Sequence, residues 1–235
     1  MQKSECRMQN VERPRAFHNK RRLLLGAVLI ALVIAHRPVL RWLAEALVVE
    51  SAWEQADDVL AWGDERALLE VVAWQQAGRA PRVLLFEQYP ERVERLGIVP
   101  AQHEQQRAQL TARGVPATTI DVIPGQPRAD FQRADNLAIW LAAHPEARVQ
   151  MFCSPLHTRR LSGLLERKLT AQQFARVRVG GVADAELDAS RWWLSRYGLK
   201  QVSSAWNWLL VDRFCAEIPP PLDHWDIDAY ERSLC

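Results

Sequence analysis

The chain has 235 residues, 49% of them apolar, which is material for one sizeable α/β domain and an appendage but hardly for two full domains. Its net charge of +2 is unevenly spread: residues 1–22 hold seven basic side chains against Glu5 and Glu12, a net of +5, so the rest nets −3. A nucleic-acid binder carries its basic excess on the folded body, and nucleic acid is therefore excluded as a partner.

In chain order, the basic residues 1–22 end at Lys20-Arg21-Arg22, and an uncharged run from Leu23 to Ala35 follows. At about 1.5 Å per residue that run falls short of a hydrocarbon core of about 30 Å. Continued to Leu43 it is long enough, with its only charges, Arg37 and Arg41, near one end where they can snorkel and Trp42 at headgroup level. The segment 23–43 is expected to be a single transmembrane anchor in the plasma (inner) membrane. The basic cluster before it sets residues 1–22 in the cytoplasm and the body outside, in the periplasm if the source is bacterial. A cleavable signal peptide ending at Val33-Ile34-Ala35 competes with this reading. A buried core helix is disfavoured by the basic cluster directly before the run.

Residues 44–56 read as a linker, and residues 57–214 alternate between strand-like and helix-like segments. Strands are predicted at Val59–Trp62, Val83–Phe86, Thr119–Ile123, Arg148–Cys153 and Val177–Val179. Helices are predicted over Asp64–Gly78, Ala101–Arg113, a stretch ending near Ala143, a segment opening at Ser154, and a long terminal helix from Leu187 to about Arg213. This succession predicts a Rossmann-like three-layer α/β sandwich with a mainly parallel sheet, preceded by one N-terminal transmembrane helix. Residues 215–235, with Pro219-Pro220-Pro221, read as an extended tail.

Parallel sheets place ligands beyond the carboxyl ends of their strands. That rule gathers Gly63, Asp64 and Arg66 after the first strand, Glu87 after the second, and Ser154, His157 and Arg160 after the fourth. Asp135 and Asn136, in the preceding helix, are expected to face the same crevice. Ser154 reads as an N-cap and Pro155 as the first helical residue, with free N–H groups and added cations pointing to phosphate or another anion. On that segment alone, the equal alternative is a solvated basic helix face with His157 serving a local carbonyl.

Cys6, Cys153, Cys215 and Cys235 show no metal-binding spacing, and no metal site is expected. Cys153 reads as a buried strand residue, and a Cys215–Cys235 pairing is open. No G-x-S-x-G elbow, Walker loop, G-x-G-x-x-G or H-E-x-x-H occurs, so those families have no support, and the cofactor is left open.

The segments HRPVLRWLAEALVVES, ADDVLAWGDERALLEVVAWQQAGRAPRVLL, YPERVERLGIVPAQHEQQRAQLTARGVPATTI, FCSPLHTRRL and SRWWLSRYGLKQVSSAWNWLL follow one another from Arg37 to about Leu210. In order and spacing they resemble the ElyC/SanA/YdcF family, the YdcF-like proteins. The resemblance implies a Rossmann-like domain tethered by one helix, facing the periplasm and serving cell-envelope biogenesis. Gly63 matches the glycine of the family's first loop, Arg66 the arginine beginning the next helix, Asp135 an acidic position, and His157 and Arg160 the last motif. Arg133 stands where many members have Thr, and a glutamate of the terminal helix is replaced near Ala205.

Two functions follow as expectations. One is an envelope enzyme acting on a phosphorylated or lipid-linked peptidoglycan or polysaccharide precursor. There Arg66 and Arg160 neutralise the phosphate, His157 transfers a proton and Asp135 orients it. The other is a non-catalytic module that binds an anion or nucleotide and regulates envelope biogenesis. A purely structural role leaves the polar crevice residues unexplained.

Overall fold

The structure, a computed structural model, describes residues 36–63 and 65–214. The chain divides into two compact units, Met1–Trp42 and Leu43–Cys235. In the first, the described residues 36–42 are helical, with Val39 and Trp42 exposed. Residues 23–35 of the predicted anchor lie outside the described residues, as do the basic segment 1–22, Asp64, and the tail 215–235 with its cysteines. Among the described residues no helix is long and apolar enough to cross a membrane.

The second unit is built on five strands: β1 (Asp58–Ala61), β2 (Arg82–Phe86), β3 (Ile120–Ile123), β4 (Val149–Cys153) and β5 (Val177–Gly181). They lie in the order β3-β2-β1-β4-β5 and every pairing is parallel, with Val59 opposite Val83, Ala61 opposite Phe152 and Met151 opposite Val179. The strands read as continuous apolar runs because both faces of the sheet are covered.

On one face, α1 (Glu65–Gln76), the short α2 (Arg92–Arg95) and α3 (Gln102–Ala112) follow the first two strands. Leu68, Val71 and Val72 of α1 with Leu110 of α3 form a core with Val59, Val83, Leu85 and Phe152. On the other face come α4 (Asp130–Ala143), α5 (Thr158–Lys168) and the short α6 (Ala171–Ala175). Leu137, Leu141, Leu161 and Leu165 pack there on Leu60, Leu84, Met151 and Val179. The helix α7 (Arg196–Phe214) buries Gly198, Val202 and Ala205.

Residues 44–56, read as a linker, run along the domain. Ala44 and Leu47 are fully buried. Ser51 donates its backbone N–H to the Val179 carbonyl at 3.1 Å and accepts the Val179 N–H on its hydroxyl at 3.1 Å. This covers the edge of β5 that β4 leaves open, as sheet edges in stable proteins are covered.

Two helix starts differ from expectation. The terminal helix begins at Arg196 and not at Leu187. Asp184 and Asp188 each accept the backbone N–H two residues on, from Glu186 at 2.9 Å and Ser190 at 2.8 Å, and such local bonds compete with a helix. A 3-10 turn, Trp192–Leu194, follows, and the Ser195 hydroxyl then accepts the Gly198 N–H at 2.9 Å. A Cβ on Gly198 would lie 2.3 Å from the Trp192 carbonyl oxygen, so only glycine fits that approach. At the other site, Ser154 and Pro155 open a 3-10 turn, Pro155–His157, and α5 proper starts at Thr158. Ser154 makes no side-chain capping bond.

Candidate functional site

The strand order reverses between β1 and β4, and the ends of these two strands part to form a crevice of about 310 Å³. Its walls come from Trp62, Gly63 and Arg66 after β1, Asp130 and Arg133 of α4, and Cys153 to Pro155 after β4. His157, Arg160, Leu161 and Leu164 follow on the next turn and α5, with Val182 and Asp184 after β5 and Tyr197 and Gln201 of α7. Gly63 takes φ +116°, a conformation that side chains rarely adopt, and this turns the chain from β1 into α1.

Of the residues expected here, Gly63, Arg66, Ser154, His157 and Arg160 do line the one crevice. Arg66 Nη1 lies 2.5 Å from Asp184 Oδ2, with Glu186 at 3.8 Å, and the Tyr197 hydroxyl donates to Asp184 at 2.8 Å. The bond to Asp184 holds the Arg66 guanidinium above its ordinary value. Burial pushes the Asp184 carboxyl up, but the Tyr197 hydroxyl, the Glu186 N–H and Arg66 outweigh it and hold that carboxyl below its ordinary range. The Arg66 side chain is 40% exposed, so part of its five-donor fork is open to solvent.

Arg160 is held differently. Its Nε donates to Asp212 at 2.7 Å and its Nη1 to Asp130 at 2.8 Å, and its side chain is only 17% exposed. Burial works against its charge, yet Asp130 and Asp212 keep it above its ordinary value. Asp130 is the hub of this wall: it also accepts the Trp62 indole N–H at 3.2 Å and pairs with Arg133 at 3.4 Å. Arg133 in turn donates to Gln88 at 3.1 Å.

The expected free amides at the turn are in part occupied. The His157 N–H donates to the Ser154 carbonyl at 2.9 Å and the Arg159 N–H to the Leu47 carbonyl at 3.2 Å. The cationic character of the crevice therefore comes from arginine side chains more than from a helix terminus.

Asp135, Asn136 and Glu87 are elsewhere. Asp135 is about 140° round α4 from Asp130 at 3.6 residues per turn, and it pairs with Lys168 at 3.3 Å. It is not the partner of His157. Asp135 and Asn136 line a second, shallower hollow with Gly125, Gln126, Arg128 and Gln132. Glu87 accepts the Gly125 N–H at 3.4 Å and the Gln126 amide at 3.1 Å beside it. Asp64 lies outside the described residues.

Comparison with protein-family models, with curated proteins and with solved structures gives no match.

Sequence reasoning missed Asp130, Arg133, Asp184 and Tyr197. The strand-end rule, applied also to β5, points to Asp184; Asp130 is the acidic first residue of a helix. Tyr197 enters from the far end of the chain and carries no local signal. Among the described residues no group of three His, Cys, Asp or Glu side chains is placed to hold a metal ion. The crevice has three arginines against two carboxylates and an apolar wall of Leu161, Leu164 and Val182. It is suited to an anionic group joined to an apolar one.

Proposed function

We propose that this chain is a YdcF-like α/β protein whose crevice holds the phosphorylated end of a cell-envelope precursor. Its body is tethered outside the cytoplasm by residues 23–43. The observation that carries the reading is the position of Arg66: a half-exposed guanidinium beside the crevice at the strand-order reversal, engaged by the loop carboxylates Asp184 and Glu186, whose place a phosphate can take, and by the Tyr197 hydroxyl. Arginine suits this exchange because its fork fits phosphate and carboxylate alike. Leu161, Leu164 and Val182 support an apolar or lipid-linked portion next to the phosphate.

A second reading, turnover of the same precursor, is favoured by His157 and Asp130 lining the same crevice, a titratable base and a carboxylate beside the anion. The test is a survey by mass spectrometry of small molecules retained by the detergent-extracted chain. A phosphorylated envelope precursor is the expected ligand. Retention of unphosphorylated molecules alone overturns the proposal.

A further inference from the structure

We infer that the crevice takes a single phosphate and discriminates against a diphosphate, because its cations are already largely matched by carboxylates. This rests on the proposed phosphate site and narrows the class of ligand that it holds. Three arginines line the crevice, Arg66, Arg133 and Arg160. Among the described residues, four carboxylates pair with them. Asp184 and Glu186 lie on Arg66, Asp130 on Arg133 and Arg160, and Asp212 on Arg160. Three positive charges against four negative leave a net of −1.

The four carboxylates are not equally displaced. Asp184 and Glu186 belong to the irregular segment between β5 and the 3-10 turn at Trp192. Asp130 and Asp212 sit on the helices α4 and α7, and Arg160 donates to both, at 2.8 and 2.7 Å. An entering anion displaces the loop pair, and the charges that stay net +1, or +2 when His157 is protonated. A phosphate ester carries about −1.5 to −2 near pH 7, which these charges balance. A diphosphate brings at least one further negative charge, and an unpartnered charge in a poorly solvated site is costly.

The hydrogen-bond donors give the same answer. Arg66, 40% exposed, has a fork to offer once the loop carboxylates leave it. Arg133 donates Nη1 to Asp130 at 3.4 Å and Nη2 to Gln88 at 3.1 Å, and its Nε is buried. Arg160 gives Nε and Nη1 to its two carboxylates and is only 17% exposed. The N–H groups of His157 and Arg159 are taken by the Ser154 and Leu47 carbonyls. One guanidinium fork fits one phosphate. A second phosphate finds no further open fork among the described residues of the crevice.

The test titrates the full chain, in detergent with EDTA at neutral pH, with polyprenyl phosphate, polyprenyl diphosphate and polyprenol of one chain length. The monophosphate should bind about tenfold or more tightly than the diphosphate. A diphosphate that binds as tightly as the monophosphate, with both tighter than the alcohol, overturns this inference and leaves the phosphate site standing. A monophosphate that binds no more tightly than the alcohol refutes the phosphate site and this inference with it. Asp212→Asn separates charge from shape, because it removes one negative charge behind Arg160 and keeps an acceptor for Arg160 Nε. The preference for the monophosphate should shrink several-fold in this variant. An unchanged preference assigns the discrimination to shape and overturns the inference.

Discussion

Arg66 and Asp184 meet at 2.5 Å and so join the end of β1 to the end of β5 over the end of β4. A loop carboxylate occupies the place on the guanidinium that a ligand anion would take. Tyr197 holds the same carboxylate from α7, so three separate segments close on one ionic contact.

Asp184→Asn should free Arg66 for an incoming anion, raising affinity for inorganic phosphate several-fold by titration calorimetry, while loosening residues 182–195. The pH dependence has a definite sign. The Asp184 carboxyl is held below its ordinary value near 3.8, so its stabilisation is complete above that pH and is lost as pH falls through the lower, folded value. Fluorescence of Trp192 and Trp193 should therefore stay constant from pH 7 to about 4 and change only below it. A change centred near pH 6 would contradict this.

Arg160→Ala should act mainly on stability. The substitution leaves Asp130 and Asp212 facing each other across a poorly solvated gap, and charge-assisted bonds are worth roughly 1.5–3 kcal/mol each. A loss of about 2–4 kcal/mol is expected in urea denaturation, allowing for the partial exposure of both carboxylates. Arg160→Lys should recover only part of it, because a single ammonium cannot span both carboxylates.

Asp58 supplies the opposite pH sign. It is fully buried at the start of β1, and burial pushes its carboxyl above the ordinary value although Arg82 donates to it at 2.8 Å. A raised carboxyl costs nothing below pH about 3.8, where it is protonated folded and unfolded alike, costs progressively more as pH rises towards the folded value, and costs no more above it. The melting temperature of Asp58→Asn relative to the parent should therefore climb as pH rises above about 3.8 and then level off. A flat or falling difference would refute this account of the site.

The parts legible in the sequence are those fixed by local pattern. All five strands stand out because burial on both faces makes them short apolar runs; of the apolar positions at helical spacing in α1, Leu68, Val72 and Trp74 are buried while Leu69 is exposed. The start of α7 was hidden because Asp184 and Asp188 spend their side chains on nearby backbone N–H groups, a choice that helix periodicity does not register. The sequence points Asp135 to the crevice because the phase of α4 is not set by its own residues. The bonds of Asp130 to Trp62 and Arg160 set it, and they turn Asp135 away towards Lys168. The ties of Arg160 to Asp130 and Asp212 are thirty and fifty-two residues distant in sequence, beyond any local pattern.

The most direct measurement is calorimetric titration of the full chain, in detergent, with a polyprenyl phosphate and with the matching polyprenol. The phosphate should bind measurably more tightly than the alcohol. Arg66→Ala should weaken that binding about ten- to a hundredfold, the equivalent of one charge-assisted contact. Equal binding of phosphate and alcohol, or equal binding of the phosphate by parent and Arg66→Ala, would contradict a phosphate site in the crevice.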